Sequence, residues 1–203
     1  MPDHLCFAGQ SFDAQRDALV AMIRDEPVLM EVLDGIRELP EGLLVAGALY
    51  NLVWNRLTGR PPLHCIADID VFYFDASDLS YAAEDVVIKR LDARFAQLPL
   101  PVQVRNQARV HLWFETKFGA PFAPLSSAEE MLGRYASKTH AVAARHGRDG
   151  GIEIVAPFGL DDIFSFRITP NRVLENRPAH EKKAARAKSV WPELTVIGWD
   201  DAA

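Results

Sequence analysis

Asp68 and Asp70 stand two residues apart inside the apolar run Ile66-Ala67-Asp68-Ile69-Asp70-Val71-Phe72-Tyr73-Phe74. β-Branched and aromatic residues dominate this run, which predicts a strand. Side chains at i and i+2 of a strand share a face, so the two carboxylates project together, roughly 6–7 Å apart along the chain. Like charges gathered on an otherwise apolar strand are costly unless something compensates them. A divalent cation held between them is the simplest compensation. The competing reading is a strand-end pair that faces solvent or pairs with Arg105 or Arg109.

The flanking sequence predicts what surrounds that strand. Helical spacing of Phe12, Leu19, Met22 and Ile23 predicts a helix over 11–25. A second helix over 28–38 follows Pro27, and Pro40 and Gly42 punctuate the chain after it. Leu43-Leu44-Val45-Ala46 reads as a short buried strand closed by Gly47, followed by a helix over 48–58. The loop Gly59-Arg60-Pro61-Pro62 cannot continue that helix. After the acidic strand come a turn over 75–80, a helix over 81–97, a strand over 101–105 and a second short strand over 109–114. Residues 115–125 read as a loop. Ser126 and Ser127 each precede a glutamate by three residues, the spacing of a capping box at a helix start. Residues 139–145 and 151–156 read as a hairpin, 159–166 as a short helix, 171–180 as a loop and 181–190 as a polar, solvated helix. Strands interspersed with helices predict an α/β (α+β) fold, a mixed β-sheet flanked by helices.

The chain has 203 residues and a formal net charge of -6. That length suits a single domain over 1–203, with an N-terminal helical extension (1–40), a core (41–170) and a C-terminal tail (171–203). The negative balance provides no broad basic footprint for nucleic acid. The two cysteines, Cys6 and Cys65, form no CxxC pair. The N-terminal segment lacks the apolar core of a signal peptide, and no apolar stretch approaches the length of a membrane span. A cytoplasmic, reduced protein with no membrane partner is the expectation. Oligomeric state is not legible.

Five stretches together carry a family resemblance. They are Val45-Ala46-Gly47-Ala48-Leu49, then Val53 to Pro62, then Asp68-Ile69-Asp70-Val71-Phe72-Tyr73-Phe74-Asp75. After these come Val104-Arg105-Asn106-Gln107-Ala108-Arg109-Val110-His111-Leu112-Trp113 and Ala156-Pro157-Phe158-Gly159-Leu160-Asp161-Asp162. The chain resembles the nucleotidyltransferase superfamily that includes DNA polymerase β, and within it a small bacterial nucleotidyltransferase family. The stretch from Arg105 to Trp113 is specific to that family, whereas the Asp-x-Asp pair alone is a weak signal.

The resemblance implies a Mg²⁺-dependent (or Mn²⁺-dependent) transfer of a nucleotidyl group from an NTP to a hydroxyl acceptor whose identity the sequence does not give. Asp68 and Asp70 would be the metal ligands. Gly47 and Ala48 would bring backbone close to phosphate at a helix N-terminus. Arg56, Arg60 and Arg105 would contact the nucleotide. Two departures from the superfamily pattern stand out. The turn is Gly47-Ala48 rather than Gly-Gly or Gly-Ser, so a hydroxyl is missing. A third carboxylate is expected on a neighbouring strand, where Gln103 stands in Val102-Gln103-Val104. Glu153, in Ile152-Glu153-Ile154, has the same apolar-acid-apolar setting and is a candidate replacement if its strand lies beside Asp70. If neither serves, the alternative is a catalytically inactive nucleotide-binding or regulatory protein that retains the fold. Asp75 and Asp78 read as turn and cap residues, and Asp161 and Asp162 as a helix N-terminus.

Overall fold

The computed structural model describes residues 2–201. α1 (Phe12–Arg24) begins where the Ser11 hydroxyl accepts from the Ala14 amide, an N-cap. α2 (Pro27–Gly35) follows, with proline in its first turn, where a missing N–H costs nothing. β1 (Leu43–Val45) leads into α3 (Gly47–Leu57). β2 (Ile69–Tyr73), α4 (Tyr81–Arg94) and β3 (Val102–Asn106) form a crossover unit in which β2 and β3 are parallel. α5 (Val110–Phe118) comes next, and then the hairpin of β4 (Ala143–His146) and β5 (Ile152–Val155). α6 (Asp161–Phe164), β6 (Arg167–Ile168), α7 (Arg177–Val190) and β7 (Thr195–Val196) complete the chain.

The main sheet is five-stranded and mixed, in the order β3-β2-β1-β4-β5. β1 is antiparallel to both β2 and β4. The alternation of each strand separates two faces. On one face Ile69, Val71, Tyr73, Val102, Val104, Leu44, Ala144 and Ile154 are buried with apolar residues of α1 to α4. That same cluster takes in Leu19 and Ile23 from the N-terminal helices and Ala184, Ala187 and Leu194 from the C-terminal segment. Both ends of the chain therefore contribute to the core. The other face carries Asp70 and Phe72 on β2, Gln103 and Arg105 on β3, and Leu43 and Val45 on β1. A smaller apolar cluster with Ala128, Leu132 and Ala141 covers only the middle of it.

Three expectations need correction. Residues 110–114 are helical, not a second strand, and the helix runs through 115–118 into the predicted loop, ending at Gly119 with φ of 71°. The cause lies at Asn106, whose side-chain oxygen accepts from the Ala108 amide and turns the chain out of β3. The alternation of Val110 and Leu112 imitated a strand, while Phe114 packs against Phe118 at helical spacing and against Phe122 beyond the helix end. The helix expected at Ser126 is a 3₁₀ segment, Glu129–Arg134, though Ser127 Oγ does accept from the Glu130 amide. The segment 171–180 is not all loop, since α7 begins at Arg177. Among the described residues no helix is long and apolar enough to cross a membrane.

Candidate functional site

A cleft of about 350 Å³ opens where β1 passes into α3, on the sheet face that carries Asp70. Asp68 and Asp70 line one wall, with Phe72 beside them. The first turn of α3, through Ala46, Gly47, Tyr50 and Asn51, forms the second. α7 provides the third through Lys183, Arg186, Ala187 and Val190. Tyr135 and His140 also line it, and Cys65, Ile66, Ala67 and Trp191 close one end.

Asp70 lies in β2 and Asp68 one residue ahead of the strand. Asp68 is held by Gln103, whose amide donates to its Oδ2 at 2.6 Å. The parallel register places Gln103 directly across from Asp70, so the residue that bonds one acid is the strand neighbour of the other. Among the described residues neither aspartate makes an ion pair. Burial pushes the Asp70 carboxyl up from its ordinary value, and the neighbouring Asp68 charge pushes it further. Lys183 and Arg105 act in the opposite sense from a distance. Among the described residues the competing arrangement, a pairing of these acids with Arg105 or Arg109, does not occur.

Two uncompensated hard-oxygen donors suit a hard divalent cation. Among the described residues no group of three or more His, Cys, Asp or Glu side chains could surround a metal. That count fits Mg²⁺, which takes one or two carboxylates and completes its shell with water and substrate phosphate rather than a full protein cage.

At the β1–α3 junction Ala46 has an unusual backbone, with φ of 55° and ψ of -98°. Such a conformation costs an alanine on the order of 1–3 kcal/mol and is characteristic of functional turns. At Gly47 the missing Cβ leaves open cleft: among the described residues outside its own stretch of backbone, a Cβ would meet the Tyr50 hydroxyl at 3.9 Å. Among the described residues no side chain caps the first amides of α3, and an uncapped helix start of this kind is favourable to an anion. Ala48 lies in the core, fully buried, so its side chain is no part of the cleft. Tyr50 stacks on His140 with ring centroids 4.6 Å apart. Burial pushes the Tyr50 phenol well up, with Asp70 adding to it, so the hydroxyl keeps its proton. His140 is 2% exposed and neither ring nitrogen has a protein partner. Burial drives its pKa down to about 3, which keeps the imidazole neutral.

Asn55 fastens this assembly together. Its amide donates to the carbonyls of Pro62 and His64, both at 2.9 Å, and fixes the loop that enters Asp68. Its carbonyl accepts from the Trp191 indole at 3.0 Å and ties down the end of α7. Trp54 packs against Trp191 and donates to the Ile163 carbonyl.

The remaining sequence candidates lie elsewhere. Arg56 donates to the Asp25 carbonyl, and Arg60 pairs with Glu193; neither lines the cleft. Arg105 shares the face of Asp70 but lines a separate groove with Tyr81, Arg109 and Trp113. Glu153 shares the face too, yet β1 and β4 lie between its strand and β2. That is three strand spacings of roughly 4.8 Å each. It is also occupied, since Arg145 grips both its oxygens at 2.8 Å and holds its carboxyl below the ordinary value. Glu153 therefore does not replace the missing third carboxylate. Asp161 binds the Gly9 amide, Gln15 and Arg167 and joins the N-terminal segment to α6. Lys183 and Arg186 were missed because α7 reads as uniformly polar. The buried stripe of His180, Ala184 and Ala187 is the faint signal that fixes which face turns inward.

A family model described as a nucleotidyltransferase matches residues 36–196. The chain belongs to this nucleotidyltransferase family. A solved structure described as "The NMR structure of the protein reveals a CCA-adding enzyme head domain" is similar over 89% of this chain and 94% of that one, with a TM-score of 0.71 and 25% identity. No curated protein matches the sequence. The match bears out the nucleotidyltransferase resemblance and the mixed α/β fold. Within the nucleotidyltransferase frame the segment from Arg105 to Arg109 acquires a structural meaning. Asn106 bonds both the N–H and the carbonyl of Asp75, and Arg109 pairs with buried Glu84 and donates to the Leu79 carbonyl. This segment clamps the β2–α4 turn rather than touching the cleft.

Proposed function

We propose that this nucleotidyltransferase moves a nucleotidyl group from an NTP to a hydroxyl acceptor and depends on Mg²⁺ or Mn²⁺. The observation that carries the reading is the pair Asp68 and Asp70, two carboxylates without cationic partners, facing a cleft whose next wall is the uncapped start of α3. Asp68 and Asp70 would hold the metal, with Gln103 orienting Asp68. When bound, the metal neutralises phosphate charge and makes the acceptor hydroxyl more acidic. The Gly47 amide would donate to a phosphate oxygen, and the neutral Tyr50 hydroxyl is a further donor on the same wall.

In the transfer, a bond forms between the acceptor oxygen and the α-phosphorus as the bond from that phosphorus to the α–β bridging oxygen breaks. The electron pair leaves with pyrophosphate, and the acceptor proton passes to solvent water. Positioning and charge neutralisation supply the catalysis. The free, exposed Cys6 and Cys65 fit the reduced, cytoplasmic setting assigned to this reading.

A second reading is favoured by one observation. Gln103 occupies the strand position across from Asp70, and an amide cannot take a proton from the acceptor. On that reading the protein binds the metal–nucleotide complex without transferring it. Pyrophosphate release from Mg²⁺–NTP across a panel of hydroxyl acceptors separates the two. Release abolished by Asp68→Asn supports transfer, and nucleotide binding without release supports the binding-only protein.

A further inference from the structure

The acidic wall of the cleft is matched by a basic one. Lys183 and Arg186 are three residues apart on α7, on neighbouring positions of one helix face, and both line the cleft opposite Asp68 and Asp70. Among the described residues neither makes an ion pair. Elsewhere in the fold Arg60 pairs with Glu193, Arg145 with Glu129 and Glu153, and Arg167 with Asp161 and Asp162, while Arg105, on the sheet face of Asp70, donates to the Val104 carbonyl and lines a separate groove. Lys183 has the Asp70 carboxylate within electrostatic reach, but among the described residues it makes no ion pair with it. Its ammonium stands 5.8 Å over the Tyr135 ring. Desolvation by the surrounding cleft lowers its pKa while Asp70 raises it.

The wall is also rigidly placed. α7 is fixed at its start by His180, which bonds Ser137 Oγ at 2.8 Å and the Ile197 carbonyl at 3.0 Å. It is fixed at its end by the Trp191 bond to Asn55. Two acids and two cations facing each other without touching define a gap with a negative side and a positive side. A metal–polyphosphate has the complementary arrangement, with its cation at one end and free phosphate oxygens at the other. The volume of about 350 Å³ is within the usual range for a small-molecule site.

We propose that Lys183 and Arg186 form the polyphosphate subsite of this cleft, holding the β- and γ-phosphates of the bound nucleotide and the pyrophosphate after transfer. The inference rests on the nucleotide reading above and adds to it a direction: the phosphate tail runs from the aspartates toward α7. The C-terminal segment is thereby part of the site rather than a tail. Selectivity for triphosphate over monophosphate resides in α7, and binding of the nucleoside monophosphate portion does not.

Calorimetry with Mg²⁺ and three probes tests it: a non-hydrolysable NTP, the matching NMP, and pyrophosphate. The proteins are wild type, Lys183→Met, Lys183→Arg and Arg186→Ala, each with its thermal melt recorded. Wild type should bind the triphosphate at least about 10-fold more tightly than the monophosphate, the scale of a lost charge-assisted contact. Lys183→Met and Arg186→Ala should each cut that preference and weaken pyrophosphate binding about 10-fold while leaving monophosphate affinity and the melt unchanged. Lys183→Arg should restore most of the preference. Charge-removing variants that melt like wild type and keep the full triphosphate preference overturn the subsite while leaving the nucleotide reading intact. Wild-type protein that binds none of the three probes overturns both. A variant with a lowered melt is judged on the ratio of the two nucleotide affinities in its folded fraction, where an unchanged ratio overturns the proposal.

Discussion

Gln103 donates its side-chain amide to Asp68 Oδ2 at 2.6 Å from the strand position directly across from Asp70. An amide therefore positions one acid of the pair where the superfamily pattern calls for a third acid. Gln103→Ala should free Asp68 and weaken Mn²⁺-dependent nucleotide binding about 10-fold, the usual effect of losing a group that orients a ligand. Gln103→Glu should place a third carboxylate in the cluster and tighten Mn²⁺ binding. Calorimetric titration of both variants measures the two effects, and Mn²⁺ affinities equal to wild type in both would show that Gln103 has no part in the site.

Asp70 is held in place at a cost to the fold. Burial and the Asp68 charge both raise its carboxyl pKa, so stability is lost as pH rises from the ordinary carboxylate value through the raised one in the fold. Asp70→Asn keeps the shape and removes the charge. Its melting point at pH 7 should equal or exceed that of wild type, with a gain of roughly 0.5–1 kcal/mol in urea unfolding. A clear loss of stability would mean that the carboxylate is compensated within the protein.

His140 should govern part of the acid limb of stability. In the unfolded chain the imidazole takes a proton near 6.5, and in the fold only near about 3. The folded value is depressed, so the stability from the neutral ring is complete above about pH 6.5 and is lost as pH falls toward 3. His140→Phe keeps a ring against Tyr50 and removes the titration. Relative to wild type, the variant should gain roughly 2 kcal/mol between pH 7 and pH 5 in urea unfolding. A difference that does not change with pH would contradict the burial of a neutral imidazole.

The Glu84–Arg109 pair should matter to the fold and not to the cleft. Glu84 is 6% exposed and Arg109 9%. Arg109→Ala leaves a buried carboxylate unpaired and should cost about 3–5 kcal/mol. Nucleotide affinity measured on the folded fraction should stay within twofold of wild type. A large loss of affinity with little loss of stability would reassign this segment to the site.

These cases show which levels of the structure were legible in the sequence. The acidic strand was, because a two-residue period fixes which side chains share a face. Glu153 shows where that logic stops. Its face was correct, but strand order depends on long-range pairing that no local pattern contains, and β1 and β4 separate it from Asp70. The helix at Val110 was misread because a few alternating residues fit both periods, and the deciding contact, Asn106 to the Ala108 amide, is a side-chain turn. Lys183 and Arg186 were passed over because a weakly apolar helix gives little indication of which face turns inward. Only after His180, Ala184 and Ala187 are seen to be buried do the adjoining Lys183 and Arg186 fall on the cleft wall beside Ala187.

The central claim is that Asp68 and Asp70 bind a metal–nucleotide complex. Calorimetry of wild type and Asp70→Asn with a non-hydrolysable NTP, in Mg²⁺ and in EDTA, tests it most directly. Wild type should show Mg²⁺-dependent binding, weakened at least about 10-fold in a variant that melts no lower. Equal binding by the two proteins, or binding indifferent to EDTA, would contradict it.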